Sequence, residues 1–393
     1  MKRIPIVSLP IRSQELSQIF RGLISPGSVC IEDFEKTFAN VLGSTFCMTV
    51  NSAKTAAYLV LKHLATLSEK KEVLLPAYTA DSLILVIKKA GLVPVLCDIS
   101  QETFDLNNQL LRQLISKNTL AVLAVHMFGL ACDLPELLEI AKKEKIFLIE
   151  DCAQAQGTKI NSRMAGTLGD CGFFSFNRGK NIPTYSGGCF VTNSIELRDG
   201  VVREISQLKE PNFFAKATLI SELFGLSLVM RPGVYGLAYP FLAPFKSNTP
   251  SRDFTSLKYT NIQAALGSAL LEKISYFSKK RYDNGIYLMN GLKNSAGIIL
   301  PKIIPDTVPA FNRFPLVFAD LKRREKAINS LSKIGIESSL MYQKPLHKLF
   351  DLGYKEDAFP NATYLAEHLL TLPVHPFVKN NDLDKIIEVI KCL

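Results

Sequence analysis

The sequence predicts an α/β protein in which a large domain holds a mostly parallel sheet covered by helices, followed by a smaller α+β domain. Short apolar runs alternate with helical stretches between Phe46 and Asn193, a pattern typical of a parallel sheet with helices on both faces. Polar or glycine residues follow these runs, where the chain leaves the core. After residue 245 the composition changes to long helices with charged surfaces. We therefore place the large domain at residues 1–245 and the small C-terminal domain at residues 246–393.

Size and composition favour a globular protein. The chain has 393 residues, of which 47% are apolar and 21% charged, so it can bury a sizeable core and is not expected to be disordered. Its eight cysteines have no paired spacing, which argues against a disulfide framework or a metal site and favours a reducing, cytoplasmic location. The N-terminal residues contain no long apolar run, so we expect no secretory signal peptide.

The formal net charge of +10 has two interpretations. A generally basic surface suits an enzyme whose substrates carry phosphate, whereas a concentrated basic face would indicate nucleic-acid or membrane binding. Apart from short clusters at 279–281 and 322–324, the basic residues are dispersed, and no helix-turn-helix pattern stands out. We therefore do not expect nucleic acid as a partner.

Hydrophobic spacing predicts the elements in chain order. Ile31, Phe34, Phe38 and Val41 lie at helical spacing, which predicts a helix over Ile31–Leu42. The predicted strands are Phe46–Val50, Glu72–Leu75, Val93–Cys97, Leu120–Val125, Ile146–Ile149, Phe173–Phe176 and Arg313–Phe318. Three further helices are predicted between the strands of the large domain: one that begins after Asn51, one that ends near Ala90 and one that precedes Leu120. Another is predicted over Leu134–Lys143. In the C-terminal part, helices are predicted over Leu321–Ile334 and near Leu383–Cys392.

The helix after the first strand begins with a candidate anion site. Asn51 and Ser52 are good N-cap residues, and the first turn of a helix offers free N–H groups and a positive dipole end. We expect Ser52, Ala53 and Lys54 to present this turn to a phosphate group. The alternative is an ordinary capped helix that binds nothing.

The stretch Ile146–Asn193 carries the most chemistry. Asp151 and Gln154 follow its first apolar run, and Ser175 and Lys180 lie at or just beyond the second. The carboxyl ends of buried parallel strands are where ligands bind in open α/β sheets. An acid, an amide, a hydroxyl and a lysine at that edge are the groups that hold pyridoxal 5'-phosphate, so we expect this cofactor.

The segment 213–245 is unusually apolar. Lys216, Glu222 and Arg231 interrupt it, prolines break its second half, and the uncharged run Leu223–Met230 is far shorter than the roughly 20 residues of a membrane span. We expect helices that cover a subunit interface or shield an active-site entrance. Shallow docking on a membrane surface is the alternative.

A polar linker at 246–253 separates this segment from the C-terminal part. The sequence then predicts one long amphipathic helix over residues 259–292, followed by the strand at Arg313 and the two last helices. This order indicates a small α+β domain whose boundary lies near residues 246–256.

Several ordered motifs resemble those of one enzyme family. They are LLPAYTADS, AGLVPVLCDIS, VHMFGLACDLPELLEIAKKEKIFLIEDCAQAQG, AGTLGDCGFFSFNRGKN, IQAALG and PLHKL. In this order they resemble the DegT/DnrJ/StrS-type aminotransferases, fold-type I enzymes that use pyridoxal phosphate to aminate nucleotide-linked keto sugars. The resemblance extends from about Glu32 to the C-terminus.

The resemblance implies a role for each central residue. Lys180 would attach the cofactor and shuttle the proton, Asp151 would pair with the pyridinium nitrogen, Gln154 would contact the phenolic oxygen, and Ser175 the phosphate. Relatives with histidine in place of the lysine perform dehydration, so Lys180 implies transamination. The family further implies glutamate as donor, a keto sugar nucleotide as acceptor in polysaccharide or glycoconjugate synthesis, and a homodimer.

Other positions depart from the family pattern. The usual Ser-Gly-Thr turn is Ser52-Ala53-Lys54, and Ala80 stands where many relatives place an aromatic over the cofactor ring. A Gly-Glu-Gly-Gly run is replaced by residues 185–188, and Ser256 stands for an asparagine of the partner subunit.

Four further side chains are candidates for substrate contacts. Tyr342 and His347 either line the acceptor pocket or pack locally, Arg313 either clamps a donor carboxylate or simply starts a strand, and Arg178 is a candidate for phosphate or substrate. Two other functions stay open: a non-catalytic regulatory relative that binds the cofactor, and a membrane-surface enzyme for a non-nucleotide carbonyl.

Overall fold

A computed structural model describes residues 3–230, 234–236 and 253–393. The second half of the apolar segment, apart from 234–236, and the predicted boundary between residues 245 and 246 lie outside the described residues. The division into domains 1–245 and 246–393 therefore stays a prediction.

The core of the protein is a seven-stranded sheet with the strand order β1-β9-β8-β5-β4-β2-β3. Every strand is parallel except β9, which pairs antiparallel with β1 and with β8. The predicted strands are confirmed, and β9 is an element that the sequence analysis did not identify. The sheet strands are β1 (Phe46–Val50), β2 (Glu72–Pro76), β3 (Val93–Cys97), β4 (Thr119–Val125), β5 (Phe147–Asp151), β8 (Cys171–Ser175) and β9 (Gly188–Thr192).

Helices cover the sheet, as the alternating pattern predicted. Each parallel crossover needs a connecting segment that returns to the same edge, and a helix supplies it. The helices of this part are α1 (Ser13–Ile24), α2 (Val29–Leu42), α3 (Ala53–Leu67), α4 (Ser82–Lys89), α5 (Asn108–Leu114), α6 (Leu134–Glu144), α7 (Ile195–Ser206) and α8 (Phe213–Val229). In the part of the chain that the structure describes, no helix combines the length and apolar character needed to cross a membrane.

The long helix predicted over residues 259–292 is wrong, because the structure has two helices there, α9 (Asn261–Leu271) and α10 (Ile274–Leu292). Lys273 leaves the helical region at φ −101°, ψ 3°, and its ammonium pairs with Glu15 of α1. The break allows α9 to pack on α1 and α2 while α10 packs near the C-terminus. Gly22 has no room for a side chain against the backbone of Asn261.

A second, three-stranded antiparallel sheet lies in the C-terminal part, with the order β10-β12-β13. The remaining strand pairs form a small third sheet, β11-β6-β7. The strands are β6 (Lys159–Ile160), β7 (Arg163–Met164), β10 (Ile298–Ile299), β11 (Thr307–Val308), β12 (Phe314–Phe318) and β13 (Leu369–Leu372), and the helices are α11 (Leu321–Lys333), α12 (Pro360–His368) and α13 (Asn380–Lys391).

Candidate active site

A cavity opens at the carboxyl edge of the large sheet, where β2, β4, β5 and β8 end. This is the edge at which the sequence placed the candidate residues. Its lining comprises Ser52, Ala53, Lys54, Thr79, Ala80, Asp81, Ser82, Val125, His126, Asp151, Ala153, Gln154, Ser175, Asn177, Lys180, Ser186, Gly187 and Tyr342. Residues from seven separate places in the sequence thus meet in one space.

Asp151 is the last residue of β5 and is buried between two parallel neighbours, with Val125 on one side and Phe173 on the other. One carboxylate oxygen, Oδ1, accepts a hydrogen bond from the Ala153 N–H at 2.9 Å. Burial raises the pKa of Asp151 to about 6, and that hydrogen bond and the charge of Lys180 limit the rise. The carboxylate is therefore mostly ionised at neutral pH and available to a cationic group.

Lys180 lies in the loop after β8 and lines the same cavity. Burial, together with the charge of Arg313, lowers the pKa of Lys180 to about 8, and the charge of Asp151 opposes the shift. A pKa near 8 leaves about a quarter of the amines neutral at pH 7.5. Since only a neutral amine attacks a carbonyl, this environment prepares Lys180 as a nucleophile.

Three buried amides fix the loop that carries Lys180. Gln156 donates from Nε2 to the Ser175 carbonyl at 2.8 Å and accepts the Ile182 N–H at 2.9 Å. Asn181 donates to the Gln156 carbonyl at 2.7 Å, and Asn312 donates to the Gly179 carbonyl at 2.9 Å. Because both sides of Lys180 are held, the position of its Cα is fixed before any ligand binds.

Gly179 is required at its position for two reasons. Its φ of +82° lies in the left-handed region, which side chains disfavour. A Cβ built there would also lie 2.7 Å from Cγ1 of Val7. Any residue other than glycine before Lys180 would therefore require a local rearrangement of the chain.

The N-terminus of α3, the candidate anion site of the sequence analysis, lies at the cavity. Ser52 caps the helix, its Oγ accepting the Thr55 N–H at 3.1 Å, and the free N–H groups of the first turn face the cavity that Ala53 and Lys54 line. Gly188 lets β9 pass close by, since a Cβ there would lie 2.3 Å from the Ala53 nitrogen. A helix N-terminus with a lysine in its first turn is an arrangement that suits an anion.

Asn51 holds this turn in place, a role that the sequence analysis did not assign beyond helix capping. Its Nδ2 donates to the Thr255 carbonyl at 2.8 Å, and its Oδ1 accepts the Leu257 N–H at 3.1 Å and the Thr55 hydroxyl at 2.8 Å. Thr55 also lies 3.5 Å from the Ser256 hydroxyl. Ser256 therefore lies next to the first turn of α3 in its own chain.

Gln154 and Ser175 complete the groups expected to hold pyridoxal phosphate. The buried Gln154 amide makes only a weak contact from Nε2 to the Met127 sulfur at 3.4 Å, and its Oε1 has no partner among the described residues. Ser175 ends β8, and its Oγ makes only a long contact of 3.4 Å with the Asn177 N–H. Buried polar atoms are normally satisfied, so this amide indicates a polar ligand, and the set of residues fits the cofactor.

The four candidate substrate residues are divided between the cavity and its surroundings. Tyr342 lines the cavity, and its ring also contacts Tyr78. Arg178 is exposed and lies over the Tyr185 ring at 5.0 Å, outside the lining. His347 donates from Nε2 to the Glu356 carbonyl and packs on Phe359, which favours the interpretation of local packing. Arg313 directly precedes β12 and is not among the residues that line the cavity, although its charge acts on Lys180.

The structure adds lining residues that the sequence analysis did not propose as site residues: Thr79, Asp81, Ser82, Asn177 and Ser186. The first three follow β2, so the rule that ligands bind at carboxyl ends of parallel strands was a sufficient signal for them. For Ser186 the signal was absent, because β9 runs in the opposite direction and brings its amino end to this edge.

His126 lines the cavity, but both of its ring nitrogens have partners within the protein. Its Nε2 lies 3.0 Å from Glu150 Oε2, and its Nδ1 accepts the Cys132 N–H at 3.2 Å. Glu150 also accepts three backbone N–H groups of the loop 166–169 at 2.7 to 2.8 Å. Cys152 brings a thiol within reach of these two groups, but burial raises the pKa of Cys152 and keeps the thiol protonated, which disfavours metal binding.

A lysine with a lowered pKa, a buried carboxylate and a helix-terminal phosphate turn at the edge of a largely parallel sheet define a pyridoxal-phosphate-dependent transferase. More particularly, the chain belongs to the DegT/DnrJ/EryC1/StrS aminotransferase family, whose model matches residues 12–231 and 245–391. It is thus a pyridoxal-phosphate-dependent aminotransferase, and the family predicted from its motifs is confirmed.

Characterised relatives and a solved structure agree with this assignment. The GDP-perosamine synthase of Escherichia coli is 29% identical over 99% of this chain and 98% of its own length. The spore coat polysaccharide biosynthesis protein SpsC of Bacillus subtilis is 28% identical over 98% and 95%. The fold is that of DesV from S. venezuelae, with a TM-score of 0.82, 24% identity, and 100% and 98% of the two chains covered.

Proposed function

We propose that the enzyme moves an amino group from glutamate to a nucleotide-linked keto sugar, in the synthesis of a polysaccharide or glycoconjugate. The observation that carries this proposal is Lys180, held in a fixed loop with a lowered pKa opposite the Asp151 carboxylate. The names of the relatives, a GDP-perosamine synthase and a polysaccharide biosynthesis protein, support a sugar acceptor.

The roles of the residues follow from their surroundings. Bound pyridoxal phosphate supplies the electron sink on which amino transfer depends. The ionised Asp151 carboxylate would pair with the ring nitrogen of the cofactor and favour its protonated form, because separating such a pair in a buried site is costly. The Lys180 amine accepts a proton from the substrate carbon and returns it, a role for which a pKa near 8 is well suited. The α3 N-terminus and Ser175 orient the phosphate.

Retention of lysine at position 180 favours amino transfer over dehydration. A lysine amine both forms the covalent link to the cofactor and moves the proton, whereas histidine serves only for proton transfer. It equally disfavours the non-catalytic regulatory alternative, because a protein that only bound the cofactor would not need the lowered Lys180 pKa and the clamped loop.

We further propose a cytoplasmic homodimer with α8 near the subunit interface. The helix buries Leu219 and Leu223 but exposes Phe213 and Phe214 at 78% and 77%, and exposed apolar faces of this kind commonly mark interfaces. The membrane-surface alternative predicts instead that replacing both phenylalanines by serine reduces co-sedimentation with liposomes. Equal sedimentation of this variant and the wild type would exclude that alternative.

The deciding experiment is the visible absorbance of the purified protein before and after addition of L-glutamate. We expect a cofactor band that glutamate converts and that a keto sugar nucleotide restores, while Lys180→Ala cannot complete the cycle. A colourless protein that takes up no cofactor would refute the proposal. A band indifferent to glutamate would refute glutamate as donor.

A further inference from the structure

The N-terminal segment, residues 4–9, is buried although it forms neither a regular helix nor a regular strand. Ile4, Ile6, Ser8 and Leu9 are at most 8% exposed, and Val7 is partly buried. Fixing an irregular backbone costs conformational entropy. Contacts with other parts of the chain must therefore hold this segment in place.

The C-terminal part of the chain holds the first half of the segment. Ile4 forms a parallel bridge with Ile336. The Pro5 carbonyl accepts a hydrogen bond from Nε2 of the buried His375 at 2.9 Å. Burial, together with the charge of Arg281, lowers the pKa of His375 to about 3. The imidazole is therefore neutral at pH 7, and its single ring proton lies on Nε2, since a carbonyl only accepts.

Val7, two residues after the proline, lies against the loop that carries Lys180. A Cβ on Gly179 would lie 2.7 Å from Cγ1 and 2.8 Å from Cβ of Val7, so the valine side chain fills the space beside this glycine. The carbonyl of the same glycine accepts a hydrogen bond from Asn312 Nδ2 at 2.9 Å. Asn312 is held in turn by the buried Arg281, whose Nη1 donates to the Asn312 carbonyl at 2.9 Å. Two contacts from outside the loop thus bear on the residue that directly precedes Lys180.

We propose that the N-terminal segment is a strap that positions the Lys180 amine for its reaction with the cofactor, with Val7 as a positioning residue. His375 anchors the strap through the Pro5 carbonyl, and Val7 transmits the position by packing against Gly179. Glycine has more backbone freedom than any other residue, so the loop needs a contact on this side to keep the lysine in one place. This inference concerns attachment of the cofactor and does not depend on the amino donor or on the acceptor.

The test measures how fast the apoenzyme attaches pyridoxal phosphate, followed by absorbance at saturating cofactor. In this step the neutral lysine amine adds to the aldehyde and one water molecule leaves. For Val7→Ala we expect the rate constant to fall about tenfold, because a misplacement of about 1 Å costs on the order of 100-fold and alanine keeps part of the contact. Val95→Ala is the matched control, since this valine of β3 is also partly buried but does not line the cavity. Its rate constant should change less than about twofold.

Two variants test the anchor of the strap. His375→Leu cannot donate to the Pro5 carbonyl and should slow attachment about tenfold. In His375→Gln the side-chain amide replaces the Nε2 donor, so the rate constant should stay within about threefold of the wild-type value. Equal losses for the leucine and glutamine variants would overturn the anchor role.

Binding of pyridoxine 5'-phosphate separates positioning from a general loss of structure. This analogue carries an alcohol in place of the aldehyde, so it occupies the site without reacting with Lys180. Its dissociation constant, measured by equilibrium dialysis, should change less than about threefold in Val7→Ala and His375→Leu. Attachment by Val7→Ala as fast as by Val95→Ala, or a loss of analogue affinity that parallels the loss of rate, would overturn the proposal. A wild type that attaches the cofactor without responding to glutamate would refute the proposed donor alone.

Discussion

Replacing Glu150 by glutamine should destabilise the protein far more than its single-atom change suggests. Oε2 of this fully buried carboxylate receives His126 Nε2 and the Gly166 N–H, and Oε1 receives the N–H groups of Leu168 and Gly169. In Glu150→Gln, an NH2 group replaces one carboxylate oxygen. In either orientation of the amide, this NH2 group faces N–H donors instead of accepting their hydrogen bonds. His126 cannot fully compensate, because accepting at Nε2 would require a proton on Nδ1, which already accepts the Cys132 N–H.

The magnitude follows from the bonds lost. Two hydrogen bonds to a charged acceptor are worth about 1.5–3 kcal/mol each, so we expect about 3–6 kcal/mol less stability. A neutral amide is easier to bury than a carboxylate, so the loss should fall in the lower half of that range. The loop 166–169 should loosen first, because it loses its anchor.

The assay is thermal and denaturant unfolding of the holoenzyme, with hydrogen exchange to follow the loop. Glu136→Gln is the matched control, since Glu136 pairs with Arg112 at a surface where the side chains are 36% and 46% exposed, and it should cost less than about 1 kcal/mol. A loss for Glu150→Gln no greater than that of Glu136→Gln would refute the reasoning.

Acid should reproduce the effect in the wild type. His126 and the backbone N–H groups hold the pKa of Glu150 below its usual 4.5 despite burial. A lowered folded-state pKa adds stability above pH 4.5 that is lost as pH falls through the folded-state value. Glu150→Gln should flatten this acid limb of the stability curve.

Three further predictions concern the cofactor site. Gly179→Ala should weaken cofactor binding at least tenfold in equilibrium dialysis. The added Cβ would collide with Val7, and a residue with a Cβ disfavours the left-handed backbone at this position. Tight binding by this variant would contradict the prediction and show that the loop can shift. Lys54→Met should weaken phosphate-dependent affinity about tenfold, and the loss should shrink at high salt, because one positive charge leaves the α3 N-terminus; a salt-independent loss would contradict this electrostatic explanation. Cofactor uptake by apoenzyme, followed by absorbance, should accelerate about tenfold per pH unit below pH 8 and level off above it, because the Lys180 pKa of about 8 sets the neutral fraction; a plateau reached only near pH 10 would mean an unperturbed lysine.

Much of the site could be read from the sequence because its central groups lie in one contiguous stretch. Asp151, Gln154, Ser175 and Lys180 follow two buried strands, and parallel strands bring their carboxyl ends to one edge. The Ser52 cap was equally local, since capping depends on residues within one helical turn. Patterns with a short period and short range thus predicted the strands, most helices and the residues at the carboxyl edge, while the family was predicted from the resemblance of the ordered motifs.

Only the tertiary structure decided what depends on distant parts of the chain. The reversed direction of β9, the helix break at Lys273 and the packing of His347 on Phe359 each arise from partners far away in sequence. Arg313 is the clearest case: its own neighbourhood looks like the start of a strand, and folding brings its charge to Lys180. Local propensity cannot encode such an interaction, because burial and the meeting of distant side chains arise only after the chain has packed.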